Sequence, residues 1–116
     1  MVLTCAVADW DVAPELWRHT IQHRLTSKTV EHPLMMTEPA WNPNKNREKT
    51  IEFAFEDFQV PAFYLAKGAV CAAFSSGKGT ALVVDIGHGQ ASVTPVCDGL
   101  ILKKGASPSQ SPLSLY

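Results

Sequence analysis

Apolar positions recur along the chain first with a helical period and later with a period of two. Asp9 and Asp11 open a stretch in which Trp10, Ala13, Trp17, Ile21 and Leu25 fall on one face. That spacing predicts an amphipathic helix from Asp9 to about Leu25, with Pro14 tolerated in its first turn. His32-Pro33-Leu34-Met35-Met36-Thr37 is a short apolar run, the pattern of a strand buried on both faces, and Glu38-Pro39 stops it. After the turn at Trp41-Asn42-Pro43, Asn44 is placed to cap a second helix, whose stripe is Ile51, Ala54, Phe55 and Phe58. Pro61 ends that segment. Ala62 to Ala66 reads as a second short buried strand feeding into Gly68 to Phe74, where small side chains predict a short, closely packed helix. Gly77 suits the left-handed position that follows a helix.

From Ala81 the pattern becomes that of strands. Ala81 to Asp85 is one strand, Ile86-Gly87-His88-Gly89 a glycine turn, and Gln90 to Val96 the returning strand. Asp98-Gly99 is a hairpin turn into Leu100-Ile101-Leu102. A three-stranded meander therefore follows a helix, strand, helix, strand, helix section. Ser107-Pro108-Ser109-Gln110-Ser111-Pro112 has no periodicity and reads as disordered.

Composition narrows the class. The chain has 116 residues, 46% apolar and 18% charged, with ten Lys and Arg against eleven Asp and Glu. A net charge of −1 lacks the basic excess that drives binding to nucleic-acid phosphates. No apolar run approaches the roughly 20 residues of a membrane span. The first eight residues lack the basic start of a signal peptide, so an intracellular protein is expected. Cys5, Cys71 and Cys97 are odd in number and far apart, which suits reduced thiols. Cys71 and Cys97 read most simply as small buried hydrophobes.

The main candidate for chemistry is the strand ending in Asp85, followed by Gly87 and Gly89. Glycines allow close backbone approach, turn amides can form an anion nest, and Asp85 could hold a divalent metal through water. An ordinary hairpin turn is the plain alternative. The glycines do not form a dinucleotide fingerprint, because a strand follows where a helix should open, and Gly77-Lys78-Gly79-Thr80 is not a P-loop. His19 and His23 have the spacing of two metal ligands but no third partner, so solvated histidines are expected. Lys45, Glu48, Lys49, Glu52 and Glu56 read as a solvated face. Trp10 and Trp17 lie on the apolar stripe, whereas Trp41 sits in a turn and is the better exposed anchor.

Three segments in order, His32-Pro-Leu-Met-Met-Thr-Glu38, Trp41-Asn-Pro-Asn-Lys-Asn-Arg-Glu-Lys49 and Val60-Pro-Ala-Phe-Tyr-Leu-Ala66, resemble the actin family. Asp9-Trp10-Asp11 with Leu16 to Thr20 resembles the family's preceding helix. Asp85-Ile-Gly-His-Gly89 falls at its second phosphate loop. The likeness runs from Asp9 to about Leu102. Glu38-Pro39-Ala40-Trp41-Asn42, Lys67 and Val84 to His88 are most similar to the family's nuclear branch. The resemblance implies an α/β fold: a fragment of the actin-like, ribonuclease H-like ATPase fold, with helices flanking a mixed sheet followed by the three-stranded β-meander. Residues 9–77 would form the later part of the first lobe, 78–104 the start of the second, and 105–116 a disordered tail.

Departures from the family pattern shape the functional expectation. The hydrolytic glutamine's position is Gly68, and the acidic residue between the loop glycines is His88. Neither replacement can do its counterpart's work, so the resemblance implies a non-catalytic protein. Asp85, Gly87, His88 and Gly89 form a residual nucleotide-phosphate loop, with Asp85 as the metal contact. ATP with Mg²⁺ is the cofactor implied for full-length relatives. The first phosphate loop would precede Met1 and much of the adenine pocket would follow Tyr116, so this chain alone is expected to bind no nucleotide, or to bind it weakly. The implied function is a scaffold subunit of chromatin-remodelling and histone-acetyltransferase complexes in the nucleus, serving transcription and DNA repair. Its implied partners are a remodeller motor-subunit helix, actin, other complex subunits and histones, with no membrane. Phe74, Gly77 and Thr80 are the candidate groove for the motor helix, and Phe74 as a core residue is the alternative. A polymerising actin-like ATPase and a truncated product without activity of its own are the competing readings.

Overall fold

The computed structural model describes residues 7, 9–24, 31–87, 91–102 and 107–109. The chain is mixed α/β and divides into two compact units. The helical unit comprises Val7–Met36 and Pro43–Leu65, and the sheet unit comprises Thr37–Asn42 and Ala66–Tyr116 together with Met1–Ala6.

In the helical unit, α1 runs Ala13–His19 and continues as a wider π-helical stretch, Thr20–Arg24. Its N-cap is Val12 with no side-chain cap bond, so the expected start at Asp9, capped by Asp9 or Asp11, is corrected. Asp9 Oδ1 instead accepts from the backbone N–H of Asp11 at 2.9 Å and of Val12 at 3.3 Å in the turn before the helix. Trp10, Ala13, Trp17 and Ile21 are half-buried on one face, while Leu25 lies outside the described residues. β1 is Leu34–Glu38. The second helix, α2, is Asn44–Glu52, extended by a π stretch over Phe53–Asp57. Its N-cap is Pro43 with no side-chain cap bond, so the expected capping by Asn44 is corrected.

The buried stripe of this helix is Thr50, Phe53, Ala54 and Phe58, not the predicted Ile51, Ala54, Phe55 and Phe58. The π turn explains the shift. Phe58 N–H returns to Phe53 O, five residues back, and the widened turn carries Phe53 inward and leaves Ile51 and Phe55 exposed. The core is then Phe53, Ala54, Phe58 and Val60, with Trp17, Ile21, Leu34 and Phe63 packed against it. Phe53 meets Phe58 at 4.5 Å and Trp17 at 5.5 Å between ring centroids, separations favourable for aromatic pairs. Lys49 lies over the Trp10 ring, and Arg18 pairs with Glu15 and Asp57.

β1 pairs with β2, Phe63–Lys67, as a two-stranded sheet. Leu34 N–H donates to Ala62 O near the strand starts, and Glu38 pairs with Lys67 at the strand ends, so the two run parallel. Neither strand is buried on both faces as expected: exposure alternates, with Met35 and Tyr64 open to solvent. Each strand pairs with the other alone among the described residues.

In the sheet unit, α3 is Gly68–Ser75, followed by β3 (Ala81–Ile86), β4 (Ala91–Cys97) and β5 (Leu100–Ile101), consecutively antiparallel. Gly77 closes α3 at φ 70, with its N–H on Phe74 O at 2.9 Å and Lys78 N–H on Ala73 O at 3.0 Å, the bonding of a Schellman cap. Asp98 and Gly99, at φ 50 and 77, form the expected two-residue hairpin turn. The meander gains a fourth strand. β6, Ser107–Ser109, pairs antiparallel with Ala91–Val93, where disorder was expected. β5 is only two residues long and leaves that part of the β4 edge open, and an edge strand tolerates Pro108 because its outer side needs no donor. Cys71 is half-buried and Cys97 exposed, so Cys97 is not the buried hydrophobe expected.

Candidate functional site

A cavity of about 350 Å³ opens within the sheet unit. One wall is the end of β1 and the turn after it, Thr37 to Trp41. Gly68, Ala69 and Ala72 of α3 form a second wall, and β3 and β4 contribute Val83, Val84, Asp85, Ser92 and Thr94. Trp41, expected to be an exposed anchor, is half-buried in this wall.

One cavity wall carries the buried carboxylate of an ion pair. Glu38 is 4% exposed. Its Oε1 stands 2.7 Å from Lys67 Nζ, and its Oε2 accepts from Asn42 Nδ2 at 2.8 Å. Lys67 Nζ also donates to Pro39 O at 3.4 Å, which fastens the turn to the start of α3. A buried carboxylate needs such partners, because losing its hydration is costly.

Ser92 and Thr94 are 6% and 2% exposed. They belong to the β4 face that carries Val96 inward, opposite Asp85, Val83 and Ala81 of β3. The polar side of β4 is thus the inner one, and Val93, which alternates with them, is exposed. Their hydroxyls line the cavity beside the first residues of α3, whose N-terminal amides have no partner within the helix. Together these groups can donate to an anionic or strongly polar ligand, and Asp85 can accept from one or hold a cation.

The structure gathers some of the predicted site residues and leaves others apart. Gly68 and Asp85 line the same cavity. Gly87 follows β3 and is exposed, whereas His88 and Gly89 lie outside the described residues. A Cβ placed on Gly68 would meet Glu38 O at 3.8 Å, an ordinary contact, so a side chain is missing there without any steric need for glycine. Among the described residues no three His, Cys, Asp or Glu cluster as metal ligands. His19 and His23 are exposed, with ring centroids 5.1 Å apart.

The predicted partner groove is a separate place in the same unit. Phe74 is 57% exposed, and its ring covers Gly99, where an added Cβ would lie 2.9 Å from Cζ. Thr80 Oγ1 accepts from Asp98 N–H at 3.1 Å, and Gly99 N–H donates to Gly79 O at 2.8 Å. Phe74 and Thr80 therefore meet on one hairpin turn, while Gly77 serves the helix cap.

Reading along the chain missed the Glu38–Lys67 pair and the two inward hydroxyls. The only local signal for the pair was opposite charge at the ends of two apolar runs, and for Ser92 and Thr94 an alternation that normally marks a solvated face.

Comparison with known proteins places these features in context. The family model described as Actin matches residues 1–112. Actin-related protein 4 of Yarrowia lipolytica is 54% identical over 104 residues, covering 90% of this chain and 24% of that protein. Actin-related protein 4 of Schizosaccharomyces pombe is 50% identical over 99 residues, covering 85% of this chain and 23% of that protein. The S. pombe protein named SWI/SNF and RSC complexes subunit arp42 matches with the same identity and coverage. The chain thus spans about a quarter of the length of these relatives.

Proposed function

Because the chain belongs to the actin family, we propose that it serves as a non-catalytic, actin-related scaffold subunit of nuclear chromatin-remodelling and histone-acetyltransferase complexes, in transcription regulation and DNA repair. The observation that carries this reading is the 50% identity to a protein named as a subunit of the SWI/SNF and RSC complexes. Gly68 supports the non-catalytic part: it offers no side chain to orient an attacking water, although the space would admit one. The exposed Phe74 ring beside the Thr80–Asp98 contact supports helix binding there, since an aromatic anchor next to paired polar groups suits an amphipathic helix. In this reading a motor-subunit helix docks on that turn, and actin, other complex subunits and histones are the further partners.

ATP with Mg²⁺ would supply polyphosphate charge and a counter-ion. The donor set fits the phosphate end: the Ser92 and Thr94 hydroxyls and the first amides of α3 can donate, and Asp85 can hold the ion through water. Those groups form one side of a phosphate site, so the isolated chain is expected to hold nucleotide weakly.

The competing reading, an ATP-hydrolysing filament protein, draws on the same cavity. Phosphate release by the full-length protein, measured with and without a synthetic amphipathic helix from a remodeller motor subunit, separates the two. The scaffold reading predicts helix binding that is lost in Phe74→Ala and no phosphate release above background. Sustained release with filament formation would overturn it.

A further inference from the structure

The face of α1 turned away from the core carries two imidazoles that the proposed function does not use. Trp17 and Ile21 pack this helix against Phe53, Ala54, Phe58 and Val60. His19 and His23 each come two residues later, about 200° further round the helix, and both are exposed. Their ring centroids lie 5.1 Å apart, with the planes tilted by 35°. The backbone explains the approach. His19 ends the α-helical segment and His23 lies in the π stretch Thr20–Arg24, so the helix widens between them. In an α-helix a residue four positions on overshoots a full turn by about 40°. The wider turn takes up that overshoot and stands one ring above the other.

We propose that His19 and His23 together bind a divalent transition-metal ion of the zinc class, with water on its remaining positions. Zinc lies roughly 2.0–2.1 Å from a ligating imidazole nitrogen, so two rings on one tetrahedral ion hold their centroids about 5 Å apart. These rings already stand at that separation. Rotation about each side-chain bond then aims one nitrogen of each ring at a common point. Imidazole suits zinc, nickel and copper, whereas magnesium and calcium prefer oxygen. No third His, Cys, Asp or Glu joins the pair among the described residues, so water completes the coordination and the ion is exchangeable. Arg18, next to His19 in the chain, is engaged by the Glu15 and Asp57 carboxylates, and the exposed Arg24 is screened by solvent. The site belongs to the helical unit, whereas Asp85 belongs to the sheet unit.

Zinc titration of the full 116-residue chain, followed by NMR of the histidine ring signals, tests this. The His19 and His23 signals should shift together with a single dissociation constant, while those of His32, also exposed, stay in place. In His19→Ala the His23 ring should bind zinc at least about tenfold more weakly, and likewise the His19 ring in His23→Ala, because a lone imidazole loses the chelate effect. Both variants change exposed side chains, and their circular dichroism spectra should match that of the parent. Reading the rings separates this site from zinc taken up by Cys5, Cys71 or Cys97. Magnesium should move neither ring. No shift with zinc in excess, a shift of one ring alone, equal shifts at His32, or undiminished zinc affinity of His23 in His19→Ala overturns the proposal.

Discussion

Replacing Gly99 by Ala probes the hairpin turn on which Phe74 and Thr80 converge. Two costs add there. Gly99 sits at φ 77, a left-handed conformation that costs a residue bearing a Cβ about 1–2 kcal/mol. The new methyl would also lie 2.9 Å from Phe74 Cζ. Because the ring is more than half exposed, it can swing outward, and the clash then costs no more than an off-rotamer side chain, about 0.5–1 kcal/mol. The total is about 2 kcal/mol, which lowers the urea midpoint by about 1 M for an unfolding slope near 1.5–2 kcal/mol/M. Two further variants divide the sum. Gly99→Asn introduces the same Cβ in a residue that tolerates the left-handed region, so it should cost distinctly less. In a Phe74→Ala background the clash vanishes, and Gly99→Ala should cost only the backbone share. Equal losses for Ala and Asn, or no loss for Ala, in circular-dichroism urea titrations would refute the conformational reasoning.

Other expectations follow from the same geometry. Lys67→Met should destabilise the sheet unit by about 1–3 kcal/mol in urea titration, since it removes the counter-charge of the buried Glu38 carboxylate while the Asn42 bond stays, and a second change, Glu38→Met, should restore much of the loss. Gly77→Ala should cost about 1 kcal/mol through its φ of 70 alone, because nothing lies within 4 Å of the added methyl. Gly68→Ala should instead stabilise by about 0.5 kcal/mol in the same assay, because its added Cβ makes only an ordinary contact. Phe53→Ala should cost about 3–5 kcal/mol and broaden the amide NMR signals of the helical unit, because it empties the centre of that core.

Features governed by near neighbours were legible in the chain. The glycine cap at Gly77 and the Asp98-Gly99 hairpin each depend on a few consecutive residues and formed where their chemistry placed them. Features governed by distant neighbours were not. A stripe counted at 3.6 residues per turn put Phe55 inside, but the π turn that brings Phe53 inward is a backbone adjustment without a local marker. Met35 and Tyr64 looked buried because an apolar run does not say whether both faces of its sheet are covered. Ser92 and Thr94 point inward because their face of β4 lies toward α3 and the cavity, and Ser107–Ser109 forms a strand because β5 is short. At the site, the resemblance singled out Gly68 and Asp85, and the structure puts both on one cavity. The Glu38–Lys67 pair that braces the cavity depends on the parallel pairing of two strands, which neither segment specifies by itself.

The proposed role as a chromatin-complex subunit is tested most directly by quantitative mass spectrometry of complexes purified from nuclei through the tagged full-length protein. The account predicts remodelling-complex subunits in stoichiometric amounts, with the motor subunit lost in Phe74→Ala. Recovery with actin filaments and no remodelling subunit would contradict it.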